Sequence, residues 1–216
     1  MYIRISADGA VTLSAPKRMS EARIEVFLKE KSDWIRKKLA ERAGRGDSES
    51  GSSLRDGCPL PFLGQTRILR RIRSDQNEVR FFDDPFEIRL FLKDPTDDAL
   101  ARRVYEKGKR LFLSDLFRAI VDRWMPVFEK RGVKRPEIRI RSMRSLWGSC
   151  LYNKGKITLN ERLIEKEGSA IEYVVLHELT HFLYPAHDKR FYGFLSELMP
   201  DHKERKKKLM NHNPHP

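Results

Sequence analysis

Residues 174–188 read VVLHELTHFLYPAHD, and this stretch determines how the rest of the chain is interpreted. His177 and His181 are four residues apart, and Glu178 directly follows the first of them. On a helix, positions i and i+4 lie on one face with Cβ atoms about 5–6 Å apart, so two imidazoles can reach one tetrahedral ion. Glu178 then lies one residue round, close to a water molecule at that ion. The pattern predicts a metal site with two histidine ligands and Glu178 as general base.

The helix that this geometry needs is predicted from the residues around it. Ser169 and Glu172 form a capping-box pattern before a strongly apolar run, and Pro185 ends the run. A histidine on an apolar helix is more often a hydrogen-bonded core residue than a ligand. A glutamate and two histidines on one such helix are nevertheless costly to bury unless they bind something. The metal-binding interpretation is therefore favoured.

A third protein ligand is expected, because a catalytic zinc site has three protein ligands. His187 lies just past Pro185, where the chain can fold back, while Asp188 and Glu197 are alternatives. His187 is favoured because three neutral imidazoles leave the charge of the ion undiminished. One zinc ion is predicted, although imidazole also suits other divalent ions. The remaining histidines are predicted at surface and tail positions: His202, His212 and His215.

The chemistry predicted for this site is hydrolysis of a peptide bond. Zinc lowers the pKa of a bound water towards about 7, and Glu178 takes the proton as that water attacks a polarised carbonyl. Glu178 then returns the proton to the leaving amine. The strand predicted near residues 156–160, just before the metal helix, is expected to pair with an extended peptide. The predicted partner is therefore a protein or peptide substrate.

The charge of the chain points to a further candidate partner. The 216 residues carry a formal net charge of +13, which attracts nucleic acid or other anionic surfaces over long range. The basic run at residues 203–208 fits either a nucleic-acid patch or a solvated helix face. The solvated face is favoured, and nucleic acid stays a candidate partner through the basic surface.

The cysteines and the apolar runs indicate where the protein acts. Cys58 and Cys150 are too few for a disulfide framework and lack zinc-ribbon spacing, so they are expected to be free thiols in a reducing compartment. No signal peptide is visible and no apolar run is long enough to span a bilayer. A cytoplasmic protein with no membrane partner is expected.

Periodicity along the chain alternates between strand-like and helix-like segments. A polar stretch at residues 44–57, rich in glycine and serine, is expected to be a linker or mobile loop. The predicted elements are a hairpin at 1–16, a helix from Ser20, strands across 61–92, a long helix after Asp97, strands at 137–141 and 156–159, the metal helix, and helices from Lys189 and Lys203.

Several segments resemble the bacterial YgjP-like metallopeptidase family, whose members are small zincin-type proteins. The resemblance extends over nearly the whole chain, and Ala186 and the linker at 44–57 depart from the family pattern. It is carried by "SADGAVTLSAPKRMSEARIEVFLKEKSDWIRKKL", "PFLGQTRILRRI", "RSMRSLWGSC…KITLNERLI" and "VVLHELTHFLYPAHDKRFYGFLSELMPDHKERKKKL". The quoted elements include Trp34-Ile35, Trp147-Gly148-Ser149 and Leu159-Asn160. The resemblance implies His177, His181 and His187 as metal ligands and Glu178 as the catalytic residue.

The fold that the resemblance implies is α+β, with a zincin-like metallopeptidase core. Residues 95–216 would form the catalytic domain, and residues 1–94 a smaller β-rich part containing one helix. A zinc metallopeptidase is the predicted function. Two alternatives stay open: a protease that acts on DNA-bound proteins, suggested by the similar metal motif of WLM and SprT-like proteases, and a non-catalytic binding module that the metal stabilises.

Overall fold

The computed structural model describes residues 2–5, 11–14, 27, 31 and 54–211. The chain divides into two compact units, Met1–Ser53 and Leu54–Pro216. In the first unit, β1 (Tyr2–Ile5) and β2 (Val11–Ser14) pair antiparallel, which confirms the predicted hairpin. The helix predicted after Ser20 and most of the predicted linker fall outside the described residues.

The second unit begins with a four-stranded sheet, as the alternating pattern of residues 61–92 predicts. The strand order is β3-β4-β6-β5, in which β4 and β6 are parallel and the other neighbours antiparallel. Alternate residues of β6, among them Ile88 and Leu90, face the core and are fully buried. The strands are β3 (Pro59–Phe62), β4 (Gln65–Arg73), β5 (Glu78–Asp83) and β6 (Phe86–Leu92).

The turn between β3 and β4 packs against residues 164–167, which precede the helix that carries His177 and His181. The backbone N–H of Leu63 donates to the carbonyl of Ile164 at 2.6 Å, and that of Gly64 donates to Glu165 at 3.3 Å. Gly64 has φ +80°, and a Cβ there would lie 2.5 Å from Cγ of Glu167. This position therefore requires glycine both for its backbone conformation and for space.

Helix α1 (Asp98–Glu129) contacts both sheets. Its 32 residues follow Asp97, whose side chain accepts from the N–H of Leu100 at 2.9 Å, so acid lies at the positive end of the helix as the sequence predicts. The helix contacts β5 and β6 of the first sheet and a strand of the second. Phe117 and Val121 on its apolar stripe are fully buried.

The second sheet has three strands, in the order β7-β9-β8. β7 (Glu137–Arg141) and β9 (Lys156–Asn160) are the predicted strands, whereas β8 (Gly148–Leu151) lies outside the predicted strands. β9 is the central strand, paired parallel to β7 and antiparallel to β8. The prediction that residues 156–160 pair with a substrate is therefore wrong, because both edges of β9 already hold neighbouring strands.

Three helices complete the unit: α2 (Gly168–Thr180), α3 (Lys189–Leu198) and α4 (His202–Asn211). α2 packs against α1, α3 and α4 and against β8 and β9. The predicted capping box is wrong, because α2 begins one residue before Ser169 and its N-cap is Glu167. Glu172 is instead paired with Arg123 and Arg205.

Helices and sheets are thus segregated along the chain, which confirms the predicted α+β class. The strands of residues 59–92 share a compact unit with the helices, and the sequence-based division at 94/95 stays a prediction about where the catalytic part begins. Within the described residues, no helix combines the length and the apolar character that crossing a membrane requires.

Candidate metal centre

Helix α2 presents its two histidines on one face, as their spacing predicts. The ring centroids of His177 and His181 lie 5.0 Å apart. His177 is in the last turn of the helix, and His181 is the C-cap residue after Thr180. The Nδ1 atom of His181 lies 3.3 Å from the carbonyl oxygen of Tyr184, in the turn that follows. That contact fixes one ring nitrogen of His181 and leaves Nε2 for a ligand.

His187 returns to this face six residues later. Its Nε2 atom lies 2.9 Å from Nε2 of His177, and its ring centroid lies 4.6 Å from that of His181. One potential ligand atom from each of the three histidines lies within 4.8 Å of the others. Among the described residues, no other group of histidine, cysteine or acidic side chains converges in this way.

The alternative third ligands are not part of this cluster. The carboxylate of Asp188 caps α3, accepting from the backbone N–H groups of Arg190 and Phe191 at 2.9 and 3.0 Å. These hydrogen bonds and the neighbouring guanidinium of Arg190 lower the pKa of Asp188. Glu197 is exposed on α3.

Phe191 forms an apolar floor beneath the three imidazoles. Its ring centroid lies 4.8–4.9 Å from those of His177, His181 and His187, and the side chain is fully buried. A residue in this position restricts the rotation of all three rings. The sequence signal for it was its position one helical turn after His187.

The histidine cluster fits a divalent ion that prefers nitrogen ligands. Burial, together with the charges of His181 and His187, lowers the pKa of His177 to about 3, and burial also lowers the pKa of His181. Both rings are therefore neutral at pH 7, the state in which imidazole binds metal. The Nε2 atom of His177 faces His187, while its buried Nδ1 has no hydrogen-bond partner among the described residues.

Glu178 lies between α2 and the edge of the second sheet. Its side chain is buried, and burial raises the pKa of the carboxyl group to about 8. Gly148 of β8 faces this carboxyl group, with no side chain between them. Cys150 lies two residues along the same strand, and burial followed by the charge of Glu178 raises its pKa to about 12. Sequence reasoning did not identify this role of β8.

His202 is not a surface residue, contrary to the prediction. It is only 4% exposed, and its Nε2 lies 2.9 Å from Oγ of Ser196. The ring of Tyr192 stacks between the rings of His187 and His202, at centroid distances of 6.1 and 6.4 Å. Tyr192 thus lies between His202 and the histidine cluster, and His202 is not part of that cluster. His212 and His215 lie outside the described residues.

The basic helix α4 is a charged face held partly by ion pairs. Arg205 contacts Asp201 and Glu172, and Lys208 contacts Glu167. These pairs join α4 to the start of α2 and balance part of its charge. This arrangement favours the solvated-face interpretation over a nucleic-acid patch.

Fold and site together define an α+β protein in which three converging histidines could hold a metal ion. The sequence matches the family model described as "YgjP-like, metallopeptidase domain" over residues 1–212. The chain therefore belongs to the YgjP-like metallopeptidase family, as its sequence motifs predicted. No curated protein matches it.

Two solved structures are similar to parts of the chain. One is the metallopeptidase zymogen abylysin of Pyrococcus abyssi, with 24% identity and a TM-score of 0.38, covering 46% of this chain and 93% of that one. The other is the metallopeptidase zymogen jannalysin of Methanocaldococcus jannaschii, with 20% identity and a TM-score of 0.40, covering 45% and 89%.

Proposed function

We propose that this metallopeptidase is zinc-dependent, with His177, His181 and His187 holding one zinc ion and Glu178 acting as general base. The observation that carries the proposal is the convergence of three imidazole ligand atoms within 4.8 Å of one another. Three histidines are one of the ligand sets that leave a position open for chemistry at zinc. Membership of a metallopeptidase family supports the same function.

Glu178 directly follows His177 on α2, and its buried side chain supports its proposed role as general base. The bound ion supplies Lewis acidity, which acidifies water and polarises a carbonyl group. Glu178 accepts a proton from the attacking water and returns it to the leaving amine. Burial raises the pKa of this carboxyl group to about 8 in the metal-free protein, and a bound cation would lower it towards the range in which the group is ionised and can accept a proton.

The substrate is proposed to be a protein or peptide in an extended conformation. β9 is interior to its sheet, but β8 is an edge strand of the described sheet and runs past Glu178. An extended peptide can add to such an edge by backbone hydrogen bonds. The exposed side chains of Leu146, Leu151 and Tyr152 flank this edge.

The cytoplasm is the proposed site of action. Cys58 and Cys150 are both free thiols, as expected in a reducing compartment. The net charge of +13 does not by itself require a nucleic-acid partner, and Arg205 and Lys208 of α4 are engaged in ion pairs with Glu172 and Glu167.

The test combines metal analysis with one conservative substitution. Purified protein is expected to contain one zinc per chain by inductively coupled plasma mass spectrometry, and Glu178→Gln is expected to retain it. Hydrolysis of denatured protein or peptide libraries by that variant should fall by about 100- to 10,000-fold. The matched control, Glu204→Gln, removes an exposed glutamate on α4 and should leave both properties unchanged.

Each alternative function predicts a different result in this test. Full metal content without hydrolysis in the unsubstituted protein would indicate the metal-stabilised binding module. Hydrolysis that appears only with DNA and is lost at high salt would indicate action on DNA-bound proteins. Unchanged turnover in Glu178→Gln would refute the role of Glu178.

A further inference from the structure

We infer that Gly148 and Asn160 together fix the position of the Glu178 carboxyl group. Both are positioning residues: neither needs to touch the substrate for this role. The inference rests on the proposed function for its effect on rate, whereas the contacts themselves are properties of the fold. The sequence elements Trp147-Gly148-Ser149 and Leu159-Asn160 contribute no predicted metal ligand. This inference gives both of them a role in positioning Glu178.

Gly148 is glycine because the carboxyl group of Glu178 occupies the space of a side chain. A Cβ atom at Gly148 would lie 2.6 Å from Oε1, 2.8 Å from Cγ and 2.9 Å from Cδ of Glu178. All three nearest atoms belong to that one side chain, and real Cβ atoms essentially never approach within 3.0 Å. Its φ is not positive, so a side chain here would meet no backbone strain but would require the Glu178 side chain to shift.

An edge strand of four residues would normally be able to move away from such a contact. Asn160 prevents this by fixing the segment that enters β8. Its backbone N–H donates to the carbonyl of Trp147 at 2.9 Å. Its side-chain amide donates to the carbonyls of Met143 and Leu146, both at 2.7 Å. Its side-chain oxygen accepts from the N–H of Arg162 at 3.1 Å.

These hydrogen bonds use the full geometry of an asparagine amide. Two donors and one acceptor are engaged in a side chain that is only 3% exposed. Aspartate has the same shape but cannot donate to the two carbonyls, so Asn160→Asp would release the segment. Glu178 is then enclosed between the backbone of α2 on one side and a fixed strand on the other. A displacement of about 1 Å in a catalytic group can lower the rate about 100-fold.

The first experiment adds one methyl group at this contact. A crystal structure of metal-free Gly148→Ala should show the Glu178 carboxyl group moved by more than about 1 Å with β8 in place. In the metal-loaded protein, kcat should fall by about 10- to 100-fold with KM nearly unchanged and metal content intact. The matched control is Gly168→Ala at the start of α2, where a Cβ would meet nothing within 4 Å.

The second experiment releases the strand without adding volume. Asn160→Asp should speed amide hydrogen exchange in Gly148–Leu151 by at least about tenfold and should lower kcat. The matched control, Asn153→Asp, makes the same charge change at an exposed site and should alter neither the exchange rates nor kcat. In a Glu178→Gln background, neither Gly148→Ala nor Asn160→Asp should reduce the residual rate further. A further reduction of similar size would overturn the inference.

The structural readouts separate this inference from the proposed function. If neither the unsubstituted protein nor any variant hydrolyses peptides, the proposed function fails. The position of the Glu178 carboxyl group and the exchange rates of β8 still test the inference in that case. A carboxyl group that stays in place while β8 moves would overturn it. If Gly148→Ala alone does not fold, the double variant with Glu178→Ala should fold, and its failure to do so would count against the contact.

Discussion

The Nε2 atoms of His177 and His187 lie 2.9 Å apart, although His177 lies in α2 and His187 lies beyond Pro185, in the connection to α3. Two imidazole nitrogens at this distance can share one proton in a hydrogen bond, and an ion bound by both would lie to one side of the line that joins them. Burial and neighbouring charge lower the pKa of His177 to about 3, which disfavours a doubly protonated ring. The arrangement therefore suits metal binding at pH 7.

Replacing His187 should release the metal. We expect His187→Ala to weaken zinc binding at least about 100-fold, because only two imidazoles remain. His202→Ala is the matched control: it should retain zinc and lower Tm by about 2–8 °C, because it leaves the hydroxyl of Ser196 unpaired. Competition with a chromophoric chelator measures the affinity, and equal affinities for the two variants would contradict the assignment of His187.

Two substitutions at Asp188 distinguish a helix cap from a ligand. Asp188→Asn should keep both zinc and Tm close to the original values, because asparagine caps helices as well as aspartate does. Asp188→Ala should lower Tm by about 2–4 °C and weaken zinc binding by about tenfold, because α3 then begins less rigidly beside His187. If Asp188→Asn loses the metal, Asp188 is a ligand and not a cap.

The docking of the β3–β4 turn on the metal helix can be measured with two glycines. Gly64 and Gly57 both have positive φ, but only a Cβ at Gly64 would meet another residue, Glu167. Gly57→Ala should cost about 1 kcal/mol for backbone strain alone, and Gly64→Ala about 2–4 kcal/mol. Urea denaturation gives both values. Equal losses would mean that the turn does not press against the start of α2.

The histidine cluster could be predicted from sequence because it depends on short-range geometry. His177 and His181 are one helical turn apart, and His187 follows only six residues later, past Pro185, so their convergence needs no distant part of the chain. Long periodic elements such as α1 were predictable for the same reason. Asp97, directly before α1, caps it through a contact only three residues long.

The features that sequence reasoning missed depend on tertiary contacts. The Gly-Ser-Cys run of β8 has no strand-like alternation, and it becomes a strand because β9 lies beside it. Its contact with Glu178 joins residues 30 positions apart, so no local pattern could reveal it. His202 is buried because α4 packs on α2, although its polar neighbours suggest a surface position.

The buried carboxyl group should make the metal-free protein less stable as the pH rises. The pKa of Glu178 is raised from 4.5 to about 8 by burial, so the folded state holds a proton that the unfolded state releases between these values. The stabilisation is present below pH 4.5 and is lost as the pH rises through about 8. Glu178→Gln has no carboxyl group at this position and therefore lacks this pH dependence. The unfolding free energy of the variant minus that of the unsubstituted protein should increase by on the order of 3 kcal/mol from pH 5 to pH 8. Urea denaturation in the presence of chelator measures the difference, in which the opposite effect of His177 cancels because both proteins retain that residue. The unfolding free energy of Glu204→Gln should depend on pH in the same way as that of the unsubstituted protein. If Glu178→Gln also shows this pH dependence, the carboxyl group of Glu178 is ionised in the folded protein.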